Sequence, residues 1–446
     1  MQTGTPRDVS VVVLGAGLSG LAAAQRLRER GYHPVVFERN SCVGGRACSH
    51  NVNGFIFDEG PHISFTNQAS IRALFSKAVK GEFIEQNAKV LNYWKGHWVR
   101  HPAQCNLYGL PVDTVERCIV DFVTAKYESA IELKTYADWC YKSLGRAFSE
   151  EFTFPYTRKY WATEASNLTP DWIGPRVYPP KLEEVVRGAL APQDGNYHYI
   201  SRFRYPRRGG YVAFAATLPE NMDIRLGHEV VCIDMARRKV EFANGHEAYF
   251  DYLISSLPLP EFVKRIKDAP EAVARAAEKL MCTSVVLVNL GMKCPSVPVD
   301  AHWVYCYDEN ILFARLNFPH LLSPENVPYG SSIQAEVYHS KFRPLACRDV
   351  LSRTIEDLAR IGIIPDVGDV AVAQKQDIDY ANVLFVPDRA ANLAVIQNHL
   401  QNHDVTCCGR YGQWAYMWSD DSVLSGWEAA DRVAQVLRTR KGIANQ

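Results

Sequence analysis

The sequence predicts an α/β fold in which a doubly wound parallel sheet is interrupted by a mainly helical insertion and by an antiparallel sheet. Three observations favour this fold. The β-branched run Val9–Leu14 leads through a glycine-rich turn into a helix-forming stretch that ends at Arg30. Amphipathic helical patterns occupy about 105–195, and β-rich runs occupy about 270–380. At 446 residues, the chain is long enough for two or three domains.

The composition excludes several classes of protein. Hydrophobic residues make up 47% and charged residues 22%, which is typical of a globular chain and not of a disordered one. Lys+Arg and Asp+Glu number 49 each, so no net charge favours nucleic acid as a partner. No run of about 18 apolar residues predicts a membrane span. The twelve cysteines are scattered and include no C-x-x-C pair, which favours reduced thiols and a cytoplasmic location.

The first glycine-rich turn has the spacing of a dinucleotide-binding site. Gly15 permits a tight turn after the first strand, Gly17 lets the backbone approach a pyrophosphate, and Gly20 lets the helix pack closely on the strand. The N-terminus of the following helix offers N–H groups and a positive dipole to the phosphates. The strand, turn and helix together predict a Rossmann-like domain.

An acidic residue follows at the expected distance. The second predicted strand, His33–Phe37, is followed by Glu38, 18 residues after Gly20. A carboxylate at this position accepts hydrogen bonds from both ribose hydroxyls of an adenosine and repels a 2′-phosphate. The sequence therefore predicts an adenine dinucleotide without that phosphate.

A second glycine pair indicates which dinucleotide binds. Val43-Gly44-Gly45-Arg46 follows Glu38 by a few residues, a pattern found in FAD-binding proteins of the amine oxidase type rather than in NAD dehydrogenases. An ordinary Gly-Gly turn is the alternative. Gly45 and Arg46 are therefore candidate FAD contacts, and the FAD is expected to be noncovalent because no histidyl or cysteinyl attachment motif is recognisable.

Later segments are predicted to complete the FAD domain. Val230–Asp234 and Asp251–Ser256 have the character of returning strands on either side of a hairpin with an Asn244-Gly245 turn, and Val230 is a candidate cofactor contact. At the far end, the candidates are Gly409, Arg410, Asp420, Asp421 and Ser422. The last three begin a helix to Arg438 whose N-terminus would face the pyrimidine edge of the flavin.

The expected domain division has five segments. Residues 1–85, 200–270 and 385–446 would form the FAD-binding domain, 86–199 a mainly helical substrate domain, and 271–384 an antiparallel-sheet substrate domain. The active site is expected where the three meet.

Six further segments, in order along nearly the whole chain, match the motifs of one family. They are Gly60-Pro61-His62-Ile63-Ser64-Phe65-Thr66-Asn67, Pro155–Trp161, Trp172–Val177, Phe203–Tyr211, Phe313–Arg315 and Gly409–Tyr416. Together they resemble the UDP-galactopyranose mutases, flavoproteins of the amine oxidase and protoporphyrinogen oxidase-like superfamily.

The resemblance implies a role for each matched residue. Gly60, Pro61 and His62 would form the flavin-facing loop, with His62 near the flavin N5 or a sugar hydroxyl. Arg176 and Arg315 would bind the diphosphate as catalytic residues. The substrate-binding candidates are Tyr156, Trp161, Tyr380, Asn382 and Tyr416.

The chain departs from the family pattern at two places. The usual Tyr-x-Tyr-Pro reads Tyr380-Ala381-Asn382-Val383, and Phe65 stands where the bacterial enzymes have a second histidine. The sugar and the base therefore stay open.

The residue types by themselves are compatible with these roles. Two arginines suit the two charges of a nucleoside diphosphate. Tyr156 and Trp161 lie five residues apart, so the indole could stack on a base while the phenol reaches an oxygen. Core packing is the alternative for both, and a buried structural histidine is the alternative for His62.

The reaction implied by the resemblance converts the pyranose form of a nucleoside diphosphate sugar into the furanose form, with N5 of reduced FAD as the nucleophile at the anomeric carbon. NAD(P)H is a candidate reductant, and a homodimer is a candidate assembly. No metal is expected, because the His399 and His403 pair has no third ligand nearby. The alternative is an FAD oxidoreductase, either an amine oxidase or a desaturase, since one scaffold serves many reactions. Arg176 and Arg315 favour the mutase, because an apolar substrate gains nothing from them.

Overall fold

The computed structural model of the chain describes residues 9–127, 132–193 and 200–444. Its strands, in chain order, are β1 (Val11–Leu14), β2 (Val35–Phe37), β3 (Ser49–Val52), β4 (Phe55–Asp58), β5 (Phe83–Asn87), β6 (Val90–Trp94), β7 (His97–Arg100), β8 (Arg202–Pro206), β9 (Asp223–Arg225), β10 (Val230–Asp234), β11 (Lys239–Phe242), β12 (Glu247–Tyr249), β13 (Tyr252–Ser255), β14 (Ser284–Met292), β15 (Trp303–Cys306), β16 (Arg315–Asn317), β17 (Ser331–His339), β18 (Val370–Ile378) and β19 (Val405–Cys407).

The helices of the described residues are, in chain order, α1 (Leu18–Glu29), α2 (Ala69–Ala78), α3 (Val112–Tyr127), α4 (Tyr136–Leu144), α5 (Arg146–Phe148), α6 (Phe154–Tyr160), α7 (Leu182–Leu190), α8 (Leu259–Lys264), α9 (Glu271–Glu278), α10 (Pro319–Leu322), α11 (Val350–Arg360), α12 (Arg389–Gln401), α13 (Gly409–Gly412) and α14 (Ser419–Ala444). Among these helices, none is long and apolar enough to cross a membrane.

A five-stranded parallel sheet forms the first part of the fold. Its order is β19-β13-β1-β2-β9, with Val12 opposite both Leu253 and Val35. All four residues of β1 are buried, as a central strand of a parallel sheet requires. Helix α1 packs against the long helix α14, where the Arg26 guanidinium lies 3.1 Å from the Asp431 carboxylate. The predicted fold class is confirmed.

One predicted strand belongs to a different sheet. Val230–Asp234 is a strand, but it pairs antiparallel with β11 in a separate three-stranded sheet, β10-β11-β12. The edge strand of the parallel sheet is instead β9, which pairs with β2. Strand β9 has one β-branched residue between two charged ones, so its local sequence does not predict that it, rather than β10, joins the parallel sheet.

A seven-stranded sheet forms the second part. Its order is β18-β14-β17-β16-β15-β6-β7. The neighbours are antiparallel except β15 and β6, which run parallel, so the sheet is mixed rather than wholly antiparallel. Strands β6 and β7 come from the segment that the sequence assigned to the helical domain. We keep the five-segment division as a proposal, with these two strands placed in the sheet.

The helical part packs α3 to α7 around buried aromatic and thiol groups. Helix α4 begins with a capping box, in which the Asp138 backbone N–H donates to the Thr135 hydroxyl and the Thr135 N–H donates to the Asp138 carboxylate. Helix α6 is fixed to the end of β15 by the buried Lys159, whose Nζ donates to the carbonyls of Cys306 at 2.9 Å and Asp308 at 2.8 Å. Burial lowers the pKa of Lys159 to about 8. This anchor places one face of α6 over the sheet.

Candidate functional site

A single cavity of about 1070 Å³ lies where the three parts meet. Its lining includes the glycine turns of the parallel sheet, the residues of α6, and the cavity-facing ends of β15, β16 and β17. This volume is slightly above the usual range for ligand pockets. The predicted site residues Gly20, Gly409, Asp420 and Asp421 are not in its lining, whereas the other predicted residues are.

The two glycine turns form one cradle. Gly17 and Gly44 are joined by a parallel β-bridge, and the Gly44 N–H donates to the Ala16 carbonyl at 2.9 Å. A Cβ at Gly45 would lie 2.9 Å from the Gly17 Cα, so a side chain would separate the turns. At Gly20 a Cβ would lie 2.0 Å from the Gly15 carbonyl oxygen, which is the close contact between helix and strand that the fingerprint predicts.

Glu38 faces this cradle from the end of β2. It is 6% exposed, its Oε2 accepts from the Ala16 N–H at 2.8 Å, and its Oε1 accepts from the Asn40 N–H at 2.9 Å. The carboxylate is thus held at the mouth of the glycine turn, where a ribose would lie. Val230 lines the same end of the cavity. These residues fit the adenosine and pyrophosphate of FAD.

Arg46 belongs to a charged cluster that adjoins the Gly60-Pro61-His62 segment. Its guanidinium lies 3.0 Å from one oxygen of the Glu59 carboxylate, and His50 Nε2 lies 3.0 Å from the other. Burial would raise the pKa of Glu59, but the hydrogen bonds from His50 and Arg46 lower it. Arg46 therefore brings no net charge to the cradle, because Glu59 balances it.

His62 is held in place by its neighbours. Its ring stacks on Tyr211 with centroids 5.2 Å apart, and Nδ1 lies 3.0 Å from the Gly60 carbonyl, to which it can donate. Burial lowers the pKa of His62, although the charge of Asp58 acts in the opposite direction. Asp58 is itself buried and accepts from the Ser49 and Tyr205 hydroxyls and from the Tyr211 N–H. The imidazole of His62 is therefore neutral and held in one position.

Arg315 forms a buried ion pair that the sequence did not predict. Strand register places Arg315 directly opposite Glu336, and the guanidinium donates from Nε and Nη2 to the two carboxylate oxygens. The side chains are 18% and 3% exposed. Burial would lower the pKa of Arg315, but Glu336 raises it, so the guanidinium stays charged.

Arg176 lies between two aromatic rings. Its guanidinium carbon is 4.4 Å from the Tyr416 ring centroid and 4.5 Å from that of Trp418. It also donates to the carbonyls of Trp172 at 2.9 Å and Tyr416 at 3.1 Å. The short 3-10 turn Gly174–Arg176 is thereby fixed to the segment that precedes α14.

Arg410 lies on the other side of Tyr416, 4.7 Å from the centroid of that ring. Its Nη2 donates to the Asn382 Oδ1 at 2.9 Å, while its buried Nε has no hydrogen-bond partner among the described residues. Arg410 thus lines the same cavity as Arg176 and Arg315, with a buried donor to offer an anionic ligand. The sequence had assigned Arg410 to the cofactor alone.

Of the remaining substrate-binding candidates, some present surface to the cavity and others are buried behind it. Tyr156 is half-buried and stacks on Tyr160 at 5.4 Å, whereas Trp161 is 3% exposed and packs against Trp172 at 4.6 Å. Tyr156 is therefore the better placed of the two to meet a base. Asn382 is 4% exposed and supports Arg410.

Tyr380 reaches across to the FAD-binding part, where its hydroxyl donates to Glu261 Oε1 on α8 at 2.9 Å.

The start of α14 lies at the predicted place. The Trp418 N–H donates to the Asp421 carboxylate at 3.0 Å, and the Ser422 hydroxyl donates to the Trp418 carbonyl at 3.0 Å. Burial raises the pKa of Asp421, and the neighbouring Asp420 adds to the rise. Asp421 thus caps the helix. The Gly409 N–H donates to the Ser425 hydroxyl at 2.7 Å, which fixes α13 to α14.

The comparisons with known proteins agree with this arrangement. The family described as Flavin containing amine oxidoreductase matches residues 18–434. The chain belongs to this family. It is therefore a flavoenzyme of the amine oxidoreductase family, and FAD is the cofactor that the glycine cradle fits.

Within the amine oxidoreductase fold, the chain is similar in structure to reduced UDP-galactopyranose mutase. The TM-score is 0.91 with 25% sequence identity, and the alignment covers 96% of each chain. Cyclohexylamine oxidase from Brevibacterium oxydans gives a TM-score of 0.69 at 14% identity, covering 97% of this chain and 100% of that one, and this likeness concerns the fold alone.

The curated relatives of this chain match only locally. The 4,4'-diapophytoene desaturase of Staphylococcus haemolyticus is 49% identical over 53 residues, which is 12% of this chain and 11% of the desaturase. The corresponding enzyme of Staphylococcus aureus strain Newman is 46% identical over 55 residues, again 11% of its length. The chain thus matches only about a tenth of these desaturases.

Proposed function

We propose that this flavoenzyme is a mutase that interconverts the pyranose and furanose forms of a nucleoside diphosphate sugar. The observation that carries the proposal is the presence of Arg176, Arg315 and Arg410 in the cavity that also contains the dinucleotide cradle. Two phosphate charges suit such a set of guanidinium groups, because charge-assisted hydrogen bonds from arginine are strong and directional. The likeness to reduced UDP-galactopyranose mutase supports the same function.

Each protein group has a positioning task in this reaction. Arg176 and Arg315 would hold the diphosphate before and after it leaves the sugar, and Tyr156 would support the base. His62, neutral and fixed by Gly60 and Tyr211, would orient a sugar hydroxyl near the flavin. When bound and reduced, FAD would supply the nucleophile for the anomeric carbon, so no protein side chain has to do so.

The test compares the two redox states of the purified holoenzyme. With dithionite under anaerobic conditions, nucleoside diphosphate sugars should be rearranged over many turnovers without an electron acceptor, and oxidised enzyme should be inactive. NAD(P)H in place of dithionite tests the proposed reductant. Chromatography of the sugar nucleotides and the flavin absorbance are the measurements.

Variants of the cavity residues test whether the activity depends on this site. His62→Ala should keep FAD and lose most turnover, whereas Arg176→Ala should weaken nucleotide binding by about 1.5 to 3 kcal/mol with normal flavin content. His97→Ala, outside the cavity lining, is the control. Anaerobic bleaching of the oxidised flavin by an amine or a polyene, with no rearrangement by the reduced enzyme, would establish the oxidoreductase alternative instead.

A further inference from the structure

The arginines that line the cavity differ in the group that holds each of them. Three form ion pairs with carboxylates: Arg46 with Glu59, Arg265 with Glu261, and Arg315 with Glu336. Arg410 is held differently, because within residues 9–127, 132–193 and 200–444 no carboxylate forms an ion pair with it. Its positive charge is therefore not balanced by the protein at the cavity surface.

The groups that hold Arg410 are neutral oxygens. Its Nη2 donates to the Asn382 Oδ1 at 2.9 Å, and its Nη1 donates to the Met417 carbonyl at 3.2 Å. The Asn382 Nδ2 donates to the Tyr160 carbonyl at 3.5 Å, so the two ends of this amide have distinct partners and the oxygen is the end that faces Arg410. These contacts fix the guanidinium and leave its charge available.

Asn382 is itself fixed by the backbone of the mixed sheet. It is 4% exposed, its N–H donates to the Thr283 hydroxyl at 3.0 Å, and its carbonyl accepts from the Thr283 N–H at 2.8 Å. Thr283 directly precedes β14, whereas Arg410 lies in α13, which follows the parallel-sheet strand β19. The hydrogen bond between Asn382 and Arg410 therefore joins two parts of the fold at the cavity surface.

A guanidinium without a counter-ion in a partly enclosed cavity favours an anionic ligand. Withdrawing a charge from water is costly unless it is paired, so an anion gains more from Arg410 than from an arginine that already has a carboxylate. The buried Nε of Arg410 is a further donor, since the part of the chain that the structure describes offers it no acceptor. Arg176 and Arg410 both stack on the Tyr416 ring, so one anion could contact both.

From these contacts we infer that Asn382 is a positioning residue for the substrate diphosphate, which holds Arg410 in place and leaves its charge for the phosphates. This role rests on the proposed mutase function. A carboxylate at position 382 would hold the guanidinium equally well, but it would also neutralise it. The amide provides orientation without neutralisation. The affinity for a nucleoside diphosphate, relative to the uncharged nucleoside, should therefore depend on the residue at position 382.

Two variants separate charge from orientation. Asn382→Asp supplies a counter-ion to Arg410, and Asn382→Leu removes the hydrogen bond. Binding of UDP, dTDP and GDP, and of the matching nucleosides, to oxidised holoenzyme is measured by calorimetry. Asn382→Asp should weaken the best-bound diphosphate by about 10- to 100-fold, the range expected for the loss of a charge-assisted hydrogen bond. Asn382→Leu should weaken it less, because Met417 and Tyr416 still contact Arg410.

The nucleoside is the internal control, and its affinity should be the same in both variants as in the wild type. Asn398→Asp is the matched control variant, because Asn398 is exposed and lies outside the cavity lining. A merely structural Asn382 gives a different pattern. The ratio of diphosphate to nucleoside affinity would then stay at the wild-type value in both variants, even if Asn382→Leu lowered Tm, and that result overturns the assignment. If Asn382→Asp does not retain FAD, the ratio in Asn382→Leu decides.

Reduced flavin is the other source of negative charge that the cavity would hold. The midpoint potential of the bound FAD is therefore measured in the wild type and in Asn382→Asp. A lower potential in the variant, with unchanged diphosphate affinity, would assign Arg410 to the flavin and overturn the role of Asn382. If the wild type binds no nucleoside diphosphate, the proposed function fails together with this role. If it binds them but the reduced enzyme rearranges no sugar, only the mutase reaction fails, and the affinity ratios still decide the role of Asn382.

Discussion

The ion pair of Arg315 and Glu336 decides how much positive charge the cavity offers. Of the three arginines proposed to bind the diphosphate, Arg176, Arg315 and Arg410, Glu336 balances one. A bound diphosphate would therefore share Arg315 with a carboxylate, which favours release as well as capture. Arg176 and Arg410, each stacked on Tyr416, supply the remaining charge.

Removing the carboxylate should destabilise the fold. Glu336→Gln leaves the Arg315 charge buried without its counter-ion, and the loss of one partner of a buried pair costs about 3 to 5 kcal/mol of unfolding free energy. Denaturant unfolding measures this loss of stability. Added UDP should recover part of the lost stability, because it supplies negative charge to Arg315. Glu325→Gln is the control, because its pair with Arg208 is exposed and should change stability by less than about 0.5 kcal/mol. Equal losses in the two variants would contradict the prediction.

His302 should make the stability depend on pH. It is 6% exposed, its Nδ1 accepts from the Lys89 N–H at 2.9 Å, and burial lowers its pKa to about 4. Between pH 6.5 and 4 the unfolded chain binds more protons than the folded one, so stability falls as the pH falls. Because the pKa of His302 is about 4 in the folded protein and about 6.5 in an unfolded chain, the free energy of unfolding falls by about 3 kcal/mol as the pH falls across this interval. Above pH 6.5 the contribution of His302 to the free energy of unfolding no longer changes.

His302→Asn keeps an acceptor for the Lys89 N–H but has no proton to bind. The slope of unfolding free energy against pH should therefore be smaller in the variant than in the wild type, measured by denaturant unfolding from pH 7 to 4.5. His62 also has a lowered pKa, so part of the slope should remain. Identical slopes in the two proteins would show that His302 does not contribute.

The sequence predicted these residues unequally. His62, Arg176 and Arg315 belong to local motifs, and all three line the cavity. Glu336 lies within a buried run of β17 with no motif around it, although a carboxylate in such a run is itself a signal that a partner exists. Tyr156 lies in α6 and Trp161 follows its last residue, and only packing against Trp172 decides that the indole is the buried one. Contacts between distant segments leave no pattern in a single sequence.

At the scale of elements, the first strand, turn and helix were predictable because each depends on its own residues. The strand Val11–Leu14 lies within the predicted Val9–Leu14, and α1 ends at Glu29, one residue before the predicted Arg30. Strand β6 lies in the segment that the sequence assigned to the helical part, yet it pairs with β15, which is far away in the chain. Pairing of that kind depends on the whole fold.

The two glycines of this element should respond differently to substitution. A Cβ at Gly17 has the Gly45 Cα as its nearest neighbour at 3.7 Å, so Gly17→Ala should fold and yet lose FAD, because the methyl group occupies the place of the pyrophosphate. A Cβ at Gly20 would meet the Gly15 oxygen at 2.0 Å, so Gly20→Ala should lower Tm even without cofactor. Flavin absorbance per protein and thermal unfolding measure the two effects. A yellow Gly17→Ala protein with wild-type FAD content would contradict this assignment.

At the scale of the molecule, the cavity is the place where the parallel sheet, the mixed sheet and the helical part come together. Hydrogen bonds join these parts. Lys159 on α6 donates to the end of β15, and Tyr380, just after β18, donates to α8. Ligands in the cavity would therefore contact groups from all three parts. Stability of the whole chain and occupancy of the site should be linked.

Cofactor binding should accordingly raise Tm. A ligand at 100 times its Kd adds about 2.7 kcal/mol to the free energy of unfolding, which for a chain of 446 residues corresponds to a rise of about 3 °C. Apoprotein prepared by removal of the flavin and titrated with FAD tests this by calorimetry, since calorimetry also shows whether the three parts unfold in one transition. Gly17→Ala is the matched control, and its Tm should not respond to FAD. A rise of equal size in that variant would mean that FAD stabilises the chain from somewhere other than the glycine cradle, because the cradle is the contact that the substitution removes.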